Sequence, residues 1–311
     1  MNFDLAYLTQ VLNSTLRMTT PLLFAALAAA LSNKVKIVNI SMEGVMMAGA
    51  FFGIVVNYFT NNIFLAILGA AFSGFIVSAI VAIFIIKFKA NAVVVGLATN
   101  TMMNGLTIYL MYAIFNTRGV FTDPSLKRLP RVNLPIIKDI PFIGDVLRNL
   151  TIIDYFAVFM AVAIYIFLYK TVLGYRVRAI GINEEAARSL GTKTDVYKFW
   201  VVALSGILSG LAGALLSMGT VTLFIQNITS GKGYIALAAN SIGQSHPLGV
   251  LVSTVFFGFS QSLGSVLQST ALKSQITQSI PYFATIIALI IFTIQKRSAQ
   301  KKKIKKLSEG L

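Results

Sequence analysis

Cysteine is absent from this chain of 311 residues. Disulfides, thiolate metal sites and cysteine nucleophiles are excluded with it. Histidine occurs once, as His246 beside Pro247. A lone imidazole with no obvious metal partners points to a structural role. Charge is also scarce. Only 12% of residues are charged, against about 25% in soluble domains. No paired acidic cluster lies within the apolar stretches, so an intramembrane protease or lipid-modifying enzyme lacks its nucleophile or carboxylate pair. A phosphate loop is missing too. Gly231-Lys232 is followed by Gly233 rather than Ser or Thr, and the earlier glycine position holds Gln226. Without that loop the chain should not hydrolyse ATP alone.

What remains is apolar. Hydrophobic residues make up 56% of the chain, and the mean hydropathy is +0.79. Candidate spans fall at 10–31, 40–58, 63–86, 91–115, 151–169, 199–224, 233–245, 247–268 and 281–295. Most reach the ~20 residues that cross a bilayer. The seventh is short and reads as broken or re-entrant. Helices are expected, because lipid offers no partner to unpaired backbone groups. The predicted fold is an all-α, polytopic membrane bundle of about 8–10 helices, a single domain over 1–295. A removable signal peptide is not expected, since the start lacks a basic region and a cleavage site.

The net charge is +16. Its distribution argues for membrane lipid and against nucleic acid. Lys296, Arg297, Lys301, Lys302, Lys303, Lys305 and Lys306 follow the last apolar run. Residues 296–311 therefore read as a basic cytoplasmic tail facing anionic headgroups. No basic face interleaved with aromatics suggests nucleic acid. The 170–198 loop carries six basic residues, from Lys170 to Lys198, and is expected inside. Lys34 with Lys36, and Lys87 with Lys89, mark two further inside loops. Parity places the N-terminus and loops 59–62, 116–150 and 269–280 outside. The external 116–150 loop is itself basic, which conflicts with the charge rule. Its prolines favour an extended, capping segment.

Several residues could carry function. Glu43, at the start of the second span, is costly in lipid unless it faces protein, water or the interface. It reads as a pathway or gating residue, or as a carboxylate that caps a broken helix or pairs with Lys34 or Lys36. Asn100, Asn104 and Thr107 share one face of the fourth span. They could contact a polar solute or bond neighbouring helices. Gly206, Gly210 and Gly213 form a small face in the sixth span that suits helix packing. The stretch 226–233 reads as a glycine-rich break opening a short helix at Tyr234. The polar segment 174–198 carries Glu184 and Glu185 early in a short helix that ends at Gly191. Acid near a helix start and glycine at its end both suit that helix.

The chain resembles permease subunits of bacterial ABC importers for simple sugars and nucleosides, within the ribose and branched-chain amino-acid permease superfamily. The residues that carry the resemblance are Leu16-Arg17-Met18-Thr19-Thr20-Pro21, Asn39-Ile40-Ser41-Met42-Glu43-Gly44, Glu185-Ala186-Ala187 through Gly191, Ser205-Gly206 through Gly213, and Gly233-Tyr234 with His246-Pro247. The resemblance implies a type II ABC importer-like fold and a subunit with no ATPase site or cofactor of its own. It implies a multi-pass protein of the bacterial cell membrane, with cytoplasmic ABC ATPases that bind ATP. It further implies a second permease subunit, a larger homologue in a heterodimer, and an external substrate-binding lipoprotein. Glu184, Glu185, Ala186, Ala187 and Gly191 would lie at the ATPase contact. The Leu-Pro ending of other coupling motifs is absent here. The competing reading is a self-contained secondary transporter or channel for a small polar solute.

Overall fold

The computed structural model describes residues 5–132, 143–268, 283–287, 290 and 294. Most of the ninth candidate span and the whole basic tail lie outside these residues. The described chain is helical almost throughout, as continuous apolar runs require. Helix α1 spans Leu5–Asn33, α2 Met42–Thr60, α3 Ile63–Ile86 and α4 Ala92–Phe115. A short α5, Ile143–Val146, precedes α6, Ile152–Lys170. The polar segment forms α7, Val172–Ile182, and α8, Glu184–Ser189. Then come α9, Thr194–Ala214, α10, Lys232–Ile242, and α11, Pro247–Gln268. Among the described residues, seven helices are long and apolar enough to cross a membrane. They are α1 to α4, α6, α9 and α11.

Local chemistry sets the ends. The side chains of Asn62 and Asn91 accept the first free N–H groups of α3 and α4. Thr151 and Asp154 form a reciprocal box at the start of α6. Helix α9 differs from the expected 199–224. It begins earlier, at Thr194, because its polar first turns still form helix beyond the apolar run. It ends in a π-helical turn, Leu215–Thr220, after which the chain becomes extended. Helix α10 has 11 residues, about 16 Å at 1.5 Å per residue. That is half of a ~30 Å hydrocarbon core, so α10 cannot span.

Two short antiparallel pairs shape one end of the bundle. Strand β1, Val120–Phe121, pairs with β4, Phe224–Ile225. Strand β2, Arg131–Val132, pairs with β3, Leu150–Thr151. The loop after α4 is thus stitched over the bundle: Asn57 Nδ2 donates to Lys127 O at 2.7 Å, and Asn13 Nδ2 to Val146 O at 2.7 Å. The opposite end gathers other segments. Lys36 Nζ donates to Ile182 O at 3.1 Å, and Asn33 Nδ2 to Ser245 Oγ at 3.3 Å.

Helix α9 lies at the centre, packed against α1, α2 and α3. Glycines permit this approach. A Cβ on Gly206 would fall 2.3–2.5 Å from Gly74 and Ser78, one on Gly210 would fall 2.2 Å from Ala70 O, and one on Gly213 2.0 Å from Met46 O. Buried polar contacts lie along the same helix. Ser32 and Ser205 hydroxyls are 3.0 Å apart. Gly213→Val should therefore overpack this seam and lower stability by about 1–3 kcal/mol. Thermal unfolding of the detergent-purified chain measures it. Gly105→Ala, where an added Cβ meets nothing within 4 Å, is the control. An unchanged melting temperature for Gly213→Val would refute the seam.

Candidate functional site

Two regions bring sequence-predicted residues together. The first lies where the chain breaks twice. Residues 37–41 between α1 and α2 are non-helical, and so are residues 221–231 before α10. Glu43, on the first turn of α2, joins the breaks. Its carboxylate accepts N–H bonds from Gly231 at 2.7 Å and from Gly233 at 2.7 Å. Glu43 is 8% exposed, so these bonds replace the water the carboxylate has lost. Gly231 has φ of 77° and Gly233 touches Glu43 too closely for a side chain. The carboxylate thus caps α10 from another helix. Neither Lys34 nor Lys36 forms an ion pair with it among the described residues.

Asn100 of α4 makes the reciprocal bonds on the other side. Its Oδ1 accepts from Gly44 N at 2.8 Å, while its Nδ2 donates to Ile40 O at 3.0 Å and to the Tyr234 hydroxyl at 3.0 Å. Asn100 lies eight residues beyond the start of α4, about 12 Å deep at the helical rise. The clamp thus meets α4 more than two turns from its start. Asn104 and Thr107 do not join it. The Thr107 hydroxyl is buried and donates to Asn104 O at 3.1 Å. Asn104 Oδ1 is buried and has no hydrogen-bond partner among the described residues. Helical spacing put all three on one face, but only Asn100 reaches the breaks. Tyr234 was missed as a member of this cluster. Its position opening α10 was the available signal.

The second region is the polar segment. The Asn183 side chain accepts from Ala186 N and starts α8. Gly191, with φ of 80°, ends it. Gly191 N donates to Arg188 O at 2.9 Å and Thr192 N to Ala187 O at 3.1 Å, the paired bonds of a left-handed glycine cap. Charge ties α8 down. Glu184 accepts from Lys198 Nζ at 2.5 Å, and Arg188 lies 3.4 Å from both Glu184 and Asp195. The hydrogen bond from Lys198 is the main reason the Glu184 carboxyl is held below its ordinary 4.5; burial opposes it, and Arg188 assists. Glu185 and Ala186 are exposed, while Ala187 is buried. Two apolar residues were missed here. Ile182 is 79% exposed and Leu190 is 86% exposed. They lie just before and just after α8, and Ile182 borders a polar recess of about 460 Å³ that Lys36, Glu184, Glu185 and Arg188 help line.

His246 packs against Tyr165 and Tyr169, with ring centroids 5.5 and 5.1 Å away. Among the described residues no group of three potential metal ligands occurs.

Known proteins supply the context for these regions. The family model described as the permease component of branched-chain amino acid transport systems matches residues 11–294. The chain belongs to this permease family. The nucleoside ABC transporter permease protein NupC of Lactococcus lactis is 31% identical, over 88% of this chain and 89% of its own length. The guanosine ABC transporter permease protein NupQ of Bacillus subtilis is 31% identical, over 92% of each chain. The glucose ABC transporter permease protein TsgB13 of Haloferax volcanii is 27% identical, over 79% of this chain and 67% of its own length. The permease is thus a multi-pass membrane subunit of an ABC transporter.

Both regions of the permease make measurable commitments. Glu43→Ala leaves the Gly231 and Gly233 N–H groups without acceptors in a buried site. Each orphaned group costs about 1–3 kcal/mol, so thermal unfolding should occur at clearly lower temperature, with Glu43→Gln intermediate. Equal melting of Glu43→Ala and wild type would remove the clamp. The Glu184 carboxyl has a lowered folded-state pKa. Its contribution is therefore complete at neutral pH and fades as pH falls below 4.5 toward the folded value. Lys198→Met should raise amide exchange of residues 184–190 at pH 7 by about two- to fivefold, the range for a partly exposed pair. Wild type should loosen in this way only in acid. Unaltered exchange in the variant would show that the ion pair does not hold α8.

Proposed function

We propose that this permease carries nucleosides inward across a bacterial cell membrane, powered by ATP that partner subunits hydrolyse. The observation that carries the reading is the likeness to the nucleoside and guanosine permeases along nearly the whole of both chains. An external binding lipoprotein would deliver the solute. A second permease chain, a larger homologue, would complete the pathway. The chain itself supplies no ATP site and acts as the conduit.

The surface of α8 supports an ATPase contact. A short soluble helix with Ile182 and Leu190 exposed at its ends offers apolar anchors to a protein. Glu184 and Arg188 hold its orientation, while Glu185 and Ala186 face outward. Ala187 and the Gly191 cap set its depth and its end. In this reading the cytoplasm lies on the side of α8, and the 116–150 loop is external. Within the pathway, the Asn100 amide and the half-exposed Tyr234 hydroxyl are the groups best placed to meet a polar solute. Glu43 holds the frame around them, and Asn104 and Thr107 line the same helix.

Uptake of labelled guanosine by cells expressing the complete transporter tests this, with labelled glucose as the comparison. Wild type should accumulate guanosine. Leu190→Asp and Glu185→Lys should each lower uptake about tenfold, the equivalent of one lost anchor at an interface, with membrane insertion intact. Uptake of glucose alone would replace the solute assignment. Full guanosine uptake in both variants would remove α8 from the ATPase contact.

A further inference from the structure

A second opening lies beside the end of α8. It is a groove of about 640 Å³ between the end of α6, α7 and the first half of α9. Its chemistry changes along its length. At the polar end stand Arg176 and Lys193, both exposed, and among the described residues none that lines the groove is acidic. Arg176 Nη1 donates to the Tyr197 hydroxyl at 2.8 Å, which leaves its other N–H groups for a ligand. The start of α9 adds the positive end of its dipole. Farther along, the walls become apolar. Leu173 is 52% exposed, Trp200 51% and Leu204 47%. Lys193, the residue that caps α9, and Leu204 are eleven positions apart, about 16 Å along the helix axis. A cationic mouth at the end of the bundle thus leads to an apolar slot that runs toward the middle of the membrane.

We infer that this groove binds one anionic phospholipid of the adjoining leaflet, with its phosphate at Arg176 and Lys193 and an acyl chain along Trp200 and Leu204. Charge complementarity selects the headgroup. One guanidinium and one ammonium group, with no carboxylate among the described residues that line the groove, favour a net negative lipid over a zwitterionic one. The polarity gradient selects a lipid over a soluble anion, because a free phosphate would leave the apolar slot unfilled. The indole of Trp200 and the phenol of Tyr197 have the amphipathic character of residues at a membrane interface. The loop carrying Gly191 and Lys193 forms part of the wall, so the bound lipid also touches the end of α8.

The chain contains a single tryptophan, which makes the site readable without labels. The purified full chain is reconstituted in phosphatidylcholine vesicles. A minor fraction of lipid is replaced by brominated phosphatidylglycerol in one series and brominated phosphatidylcholine in the other. Trp200 quenching should report an affinity at least about fivefold higher for the glycerol headgroup, the ratio for one cation near an anionic surface. Arg176→Gln combined with Lys193→Gln should abolish the preference. Lys193→Gln alone, at an exposed position, should reduce it and serves if the double variant does not fold. Lys87→Gln with Lys89→Gln, outside the groove, should leave it intact. Equal quenching by both headgroups in wild type would overturn the site, as would a preference that survives the double substitution. Loss of quenching by both lipids on adding the purified ATPase subunit would assign the groove to protein instead.

Discussion

The structure depends on one carboxylate that joins two non-helical breaks within a bundle of spanning helices. A backbone N–H without an acceptor is expensive in lipid, so a non-helical segment persists there only if protein satisfies it. Glu43 gives both oxygens to Gly231 and Gly233. Asn100 does the same work for Gly44 and Ile40, using its carbonyl for one and its amide for the other. An acid and an amide thus stand in for the hydrogen bonds that continuous helices would have made. No apolar residue could replace either one. An amine at position 43 would present donors to donors.

The clamp contrasts with the seam beside it. Helix α9 meets α2 and α3 through glycines, with backbone against backbone. Such an interface has few alternative packings, because every rotation drives a Cα into a carbonyl. The clamp has alternatives. Its bonds join a side chain to backbone N–H groups, and solvent or a neighbouring amide could replace them one at a time. The two contacts thus differ in kind: the glycine seam is fixed by close backbone contact, and the Glu43 clamp by hydrogen bonds that can be exchanged.

Much of this was legible in the sequence, for stated reasons. Continuous apolar runs specify spanning helices, so α2, α3 and α4 fall within a few residues of expectation. The brevity of α10 follows from the polar residues on both sides of it. Gly191 was legible as a helix end, because only a left-handed residue closes that turn without strain. Other features could not be read. Glu43 and Gly231 are 188 positions apart, and no local pattern links them. The inward turn of Thr107 depends on which face of α4 the rest of the bundle covers. Strands β1 and β4 contain two residues each, too few for a periodic signal. Ile182 and Leu190 look like ordinary members of an apolar chain, and their significance comes only from their exposure.

The same contacts explain how force on a six-residue helix could reach the clamp from both sides. Lys198 of α9 holds Glu184 of α8 at 2.5 Å, so a push on α8 loads α9 directly. Helix α9 continues through its π turn into the break that ends at Gly231, the α10 side of the clamp. The junction of α7 and α8 bears on the other side. Gly181 lies so close to Lys34 O that a Cβ would fall 2.0 Å from it, and Lys36 Nζ bonds Ile182 O. From Lys36 the chain runs through Ile40 into Glu43. The two routes converge on opposite partners of one set of hydrogen bonds. A displacement that moved both equally would leave the clamp closed. A difference between them would strain those hydrogen bonds, and the contacts of Lys198 with Glu184 and of Lys36 with Ile182 are the ones that would carry it.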